Sequence, residues 1–108
     1  MSSSPCIAYC TCPDTDCAQR IAATLVNQGL AACVSLLPGA LSCYRWEGQV
    51  CQDAEVLLMI KTTQARLREL EARILEEHPY EVPEFIVVPV IAGSERYLEW
   101  IDTCTASS

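Results

Sequence analysis

Two β-rich runs, residues 31–46 and 49–62, meet at Glu47-Gly48, and this junction restricts the fold more than any other feature of the chain. A glycine between two strand-like runs reads as a tight reversal, because the turn demands a positive φ. Each arm then holds about 13 residues, which at about 3.3 Å apiece spans roughly 40 Å. A domain of 100 residues has a radius of gyration of only about 13 Å. The tip around Trp46-Glu47-Gly48 should therefore project beyond its own domain, even with a bend at Pro38-Gly39. An unpaired edge of that length aggregates, so the hairpin predicts pairing with a second copy.

The remaining pattern supplies the other elements. Residues 6–12 form an apolar first strand stopped by Pro13, and Asp14 caps a helix with Cys17, Ile21 and Leu25 four apart. Gly29 stands where a C′ glycine ends such a helix. Pro38-Gly39 marks a bulge in an edge strand, since proline cannot donate to a central ladder. Thr63 is placed to cap a second helix with Leu67, Leu70 and Ile74 inward. That helix should stop at His78, because Pro79 disfavours the α conformation before it. Residues 84–90 read as a fourth strand, with Pro89 again at an edge, and Ser94 starts a last short helix carrying Tyr97, Leu98 and Ile101. The order βαββαβ with right-handed crossovers is the ferredoxin-like α+β sandwich, with both main helices on one face of a four-stranded antiparallel sheet. Its other face would be polar if it met water. Val56-Leu57-Leu58-Met59-Ile60 and Phe85-Ile86-Val87-Val88 do not alternate, so that face must be covered.

At 108 residues the chain is one domain, 1–108. Its 51% hydrophobic and 19% charged residues leave few polar side chains for a small domain's surface. No apolar run approaches the length of a membrane span, and the N-terminus lacks the basic and apolar regions of a secretory signal. A net charge of −7 argues against nucleic acid, which calls for surplus Lys and Arg. The eight cysteines sit within apolar runs and read as free thiols in a reducing cytoplasm rather than as a disulfide framework.

Tyr44-Arg45-Trp46-Glu47-Gly48, Glu55 and Lys61-Thr62-Thr63 resemble the hairpin signature of the CutA divalent-cation tolerance proteins. His78-Pro79-Tyr80-Glu81-Val82-Pro83-Glu84, Pro89-Val90, Gly93 and Tyr97-Leu98-Glu99-Trp100 resemble that family's C-terminal pattern, and Leu30-Ala31-Ala32-Cys33-Val34 its second strand. The resemblance implies a ferredoxin-like fold, a homotrimer, a cytoplasmic location and an association with copper and other divalent metal ions. It also implies a fold similar to the PII signalling trimers.

The family's copper ligands, a first-strand cysteine and two histidines before Pro-Tyr, fall on Cys10, Glu77 and His78. Glutamate replaces the first histidine here and is a poorer ligand for soft ions. Read from the residues alone, Cys10 is equally a buried strand residue and His78 a cation at a helix C-terminus. Cys10, Cys12 and Cys17 do not have the C-x-x-C spacing of a structural zinc site. A second set, Cys33, Tyr44, Trp46, Lys61, Glu84 and Trp100, would line an intersubunit ligand cleft, or form an ion pair with aromatic packing. Lys61 is the only lysine and lies on an apolar strand, where Glu84 or Glu55 could pair with it. The chain has no nucleophile elbow, Walker loop or dinucleotide fingerprint, and a lone histidine gives little basis for catalysis. The leading expectation is a trimeric metal-tolerance protein and not an enzyme. The alternative is a PII-like signalling or scaffold trimer that binds a small ligand or a partner protein.

Overall fold

The computed structural model describes residues 4–106. Four strands, β1 (Pro5–Cys12), β2 (Cys33–Trp46), β3 (Gln49–Thr63) and β4 (Ile86–Pro89), form one antiparallel sheet in the order β2-β3-β1-β4. Three helices accompany it, α1 (Thr15–Asn27), α2 (Leu67–Glu77) and α3 (Glu95–Thr105). This is the ferredoxin-like arrangement, and the strands that carry Pro38 and Pro89 lie at its edges, where a missing N–H does least harm.

The punctuation acts locally as its chemistry requires. Asp14 accepts a 2.8 Å bond from the Cys17 amide at the start of α1. The helix ends in a Schellman motif, with Gly29 N–H on Val26 O and Leu30 N–H on Leu25 O, and Gly29 takes φ +70°. Glu47 and Gly48 both have positive φ, and Trp46 pairs with Gln49, so the hairpin turns in two residues. The register slips by one residue between Leu37 and Ala40, the bulge anticipated at Pro38-Gly39. Beyond it, β2 and β3 pair only with each other, because β1 reaches no further than Val56. The result is a free two-stranded ribbon on a molecule 47 × 26 × 21 Å across.

Two expected details differ. Thr63 does not cap α2, because a 3₁₀ turn at Gln64–Arg66 intervenes and the Thr63 hydroxyl meets that of Thr105 at 3.2 Å. Arg66 Nε also donates to Thr105 O at 2.7 Å, so the start of α2 is spent on anchoring α3. β4 is shorter than residues 84–90. It pairs with β1 from Cys6↔Pro89 to Tyr9↔Ile86, and the next β1 carbonyl on that edge, Thr11 O, is taken by His78.

The core lies between the sheet and α1 and α2. Ala8, Cys10 and Cys12 of β1, with Leu58 and Ile60 of β3, meet Ala18, Ile21 and Leu25 of α1 and Leu70 and Ile74 of α2. Alternate residues on the same strands, Ile7, Tyr9, Leu57 and Met59, face the other side and remain partly exposed. Burial alternates along strands whose hydropathy does not.

Candidate metal centre

The end of α2 delivers His78 to the sheet. Its backbone is extended, φ −82° and ψ 137°, as the following proline demands, and its amide closes the helix on Ile74 O at 2.9 Å. The ring is buried, with 8% of the residue exposed. Nδ1 accepts from the Tyr80 amide at 3.1 Å, and Nε2 lies 2.7 Å from Thr11 O. An amide can only donate and a carbonyl can only accept, so the ring is the neutral Nε2–H tautomer. His78 thus serves as a ladder donor where β4 has ended.

Cys10 and Cys12 flank Thr11 on β1 and point to the helix side, since residues two apart on a strand share a face. Both are fully buried. One ligand atom from each of Cys10, Cys12 and His78 lies within 4.8 Å of the others. Cys17, in the first turn of α1, extends this group of sulfurs, and the Arg20 guanidinium donates to its Sγ at 3.7 Å. The bond from Cys12 to Cys10, together with burial, raises the Cys12 thiol far above its ordinary range. Burial and the neighbouring Cys12 push Cys17 up to about 11, against the pull of Arg20. These groups are thiols at neutral pH, so a metal would have to displace their protons. All eight cysteines are free.

Glu77 sits beside His78 in sequence but points elsewhere. Its Oε1 is 4.0 Å from Arg20 Nε, and its carbonyl accepts from Arg20 Nη2 at 3.3 Å. Of the three residues expected from the resemblance, Cys10 and His78 come together while Glu77 faces Arg20. Cys12 stands in the remaining place.

The second expected set divides. Tyr44, Trp46 and Glu84 line a cavity of about 410 Å³ that runs along the ribbon, together with Asp53, Glu55 and Tyr80. Tyr80 Oη donates to Glu55 Oε2 at 2.7 Å, and Tyr44 Oη donates to Asp53 Oδ2. The Asp53 bond pushes Tyr44 up to about 12, while burial and the Glu55 bond carry Tyr80 higher still. The His78 and Tyr80 rings lie 4.7 Å apart, which places this cavity next to the thiol cluster. Cys33, Lys61 and Trp100 lie apart from it. Cys33 pairs with Lys61 across β2 and β3, Lys61 Nζ donates to Ser35 Oγ at 2.5 Å, and Trp100 packs on Tyr97 with ring centres 5.5 Å apart. Neither expected carboxylate pairs with Lys61 among the described residues. Asp53 and Tyr80 escaped the sequence reading. Asp53's cross-strand partner is Ser42, so it faces Tyr44 only diagonally.

An antiparallel α+β sandwich of this topology, with a free ribbon and a thiol–imidazole cluster under the sheet, defines the class. The model of the CutA1 divalent ion tolerance protein family matches residues 6–104, and the chain belongs to that family. It is 45% identical over 96 residues to the divalent-cation tolerance protein CutA of Pectobacterium atrosepticum, covering 89% of this chain and 87% of that one. It is 42% identical over 99 residues to the chloroplastic protein CutA of Arabidopsis thaliana, covering 92% of this chain but only 54% of the plant protein. The crystal structure of CutA1 from Oryza sativa superposes with a TM-score of 0.95 at 39% identity, covering 99% and 98% of the two chains. No helix among the described residues is long and apolar enough to cross a membrane.

Proposed function

We propose that this chain is a cytoplasmic, homotrimeric metal-binding protein of divalent-cation tolerance, copper being one of its ions, and that it is not an enzyme. The observation that carries the reading is the convergence of Cys10 and His78, with Cys12, on one buried point. Thiolate and imidazole are donors suited to copper and zinc. The donors fit such an ion by type, with Glu77 at the rim once Arg20 releases it. The names of the relatives describe tolerance proteins and support a binding role over a catalytic one. Eight free thiols favour a reducing compartment.

Assembly into three copies is supported by the open sheet face and by the ribbon. Ile86 and Val88 are 57% and 39% exposed there, with Leu57 and Met59 beside them. A patch of this kind marks an interface. Titration of the reduced protein with zinc in a calorimeter tests the site. Saturable binding that weakens in His78→Ala supports it, and an unchanged affinity in a folded His78→Ala protein removes it. Sedimentation tests the assembly, and a stable monomer would refute it.

The cavity along the ribbon favours a second reading, that of a PII-like trimer binding a small ligand or partner protein in its clefts. Its 410 Å³ lies within the usual range for ligand sites. Three of its walls, Tyr44, Trp46 and Glu84, belong to the expected cleft, and neighbouring copies would bring Cys33, Lys61 and Trp100 to it. Mass spectrometry of the purified protein, reading an organic ligand retained in place of metal, favours this alternative.

A further inference from the structure

We propose that Cys10 and Cys12 form a two-coordinate site for a soft monovalent cation, Cu(I) or Ag(I), with the two thiolates as ligands and His78 as a positioning residue. This rests on the metal-binding reading above and narrows it to an oxidation state and a donor set.

Geometry comes first. The two sulfurs lie within 4.8 Å of each other on one face of one strand. Two metal–sulfur bonds of about 2.3 Å reach about 4.6 Å. One ion can therefore bridge the two sulfurs as its only ligands. Soft monovalent d¹⁰ ions accept that geometry, whereas zinc seeks four ligands and harder cations seek oxygen. Cys10 and Cys12 are both fully buried, and no carboxylate belongs to the cluster. A divalent ion would find two sulfurs and one nitrogen there.

The nitrogen is already occupied. Binding a metal through Nε2 breaks its hydrogen bond to Thr11 O, and binding through Nδ1 displaces the Tyr80 amide. Either way the metal bond replaces a good hydrogen bond. The thiols are held more weakly, since Cys10 Sγ donates to Thr11 O at a long 3.8 Å and the bond between Cys10 and Cys12 joins sulfur to sulfur. His78 instead grips the carbonyl between the two cysteines and sets the strand that aims them.

The charge can be accommodated. Two S–H bonds break, two metal–sulfur bonds form, and two protons leave for solvent with no change of oxidation state. The product carries one negative charge. Arg20 donates to Cys17 Sγ at 3.7 Å and sets a positive charge at the edge of the cluster. Cys17 and His78, at 5% and 8% exposure, lie nearest the surface and mark the way in.

The test uses reduced, oxygen-free protein, with Cu(I) supplied as a chelate and affinity read by competition. One Cu(I) per chain is expected. Cys10→Ser and Cys12→Ser should each weaken binding at least ~100-fold, and His78→Gln by less than about tenfold, the lower end for a residue behind the ligands. X-ray absorption of the copper-loaded protein should show two sulfur neighbours and no nitrogen. Cys12→Ala and far-UV circular dichroism separate a lost ligand from a lost fold. Wild-type Cu(I) affinity in Cys12→Ser, or a nitrogen neighbour that disappears in His78→Gln, overturns the proposal. If zinc binds through Cys10 and His78 while Cu(I) is indifferent to Cys12, only this inference falls. If neither ion binds, the metal-binding reading falls with it.

Discussion

The two faces of the sheet are built from the same strands and reach opposite states. Beneath α1 and α2, Ala8, Cys10, Cys12, Leu58 and Ile60 are completely buried within a single chain. One residue along in each case, Ile7, Tyr9, Leu57 and Met59 remain partly exposed, and Ile86 and Val88 of β4 are openly so. Hydropathy is alike on the two sides, so hydropathy cannot be what separates them. What differs is the supply of partners. The chain has two amphipathic helices for one face and only α3 for the other. A face that is apolar but uncovered is finished by something outside the chain, and the proposed trimer is the means.

The largest effect that tests this contrast is on association. Leu57→Asp, on the open face, should lower the sedimenting mass from three chains to one while far-UV circular dichroism stays intact. An unchanged mass would break the contrast. Its neighbour on the finished face behaves differently. Leu58→Ala should cost about 3 kcal/mol in denaturant unfolding, the range for a fully buried leucine whose site cannot collapse. Removing the helix cap that builds that face, in Asp14→Ala, should cost about 1 kcal/mol in the same assay.

The smallest effect is a pH dependence. Cys12 and Cys17 ionise above the ordinary thiol value of 9.0 in the folded chain, so folding holds their protons longer than the unfolded chain does. Their contribution is complete below pH 9 and declines as pH rises, for Cys17 between 9 and about 11. Unfolding midpoints measured under reducing conditions should fall across that window, and less steeply in Cys17→Ser.

Much of the fold was legible because a few residues have few options. Glu47-Gly48, Gly29 and Pro79 each ended the element it was expected to end, and Pro38-Gly39 bulged the strand it was expected to bulge. Thr63 misled because a threonine before a helical run resembles a cap whether or not a 3₁₀ turn intervenes. The fourth strand was overextended because apolar content continues past the point where β1 has an open carbonyl to offer. The neighbourhood of His78 was harder to foresee. Glu77 is adjacent in sequence, but one helical step turns it toward Arg20. Cys12 is 66 positions away in the chain and arrives through the packing of α2 on β1. Residues two apart on a strand share a face, as Cys10 and Cys12 do, yet nothing local in the sequence said what would stand opposite them.

The two-residue turn at the ribbon tip also orders events in time. Trp46 and Gln49 are almost adjacent along the chain, so β2 and β3 can zip from the tip within about 1–10 μs, the interval for a hairpin. Cys6 and Pro89 come from opposite ends and must wait for nearly the whole polypeptide. During synthesis the ribbon is complete while β4 is still unmade and His78 has not yet closed the outer edge of β1. The interval of greatest exposure to misassociation is thus fixed by chain order, and it ends when the last strand arrives.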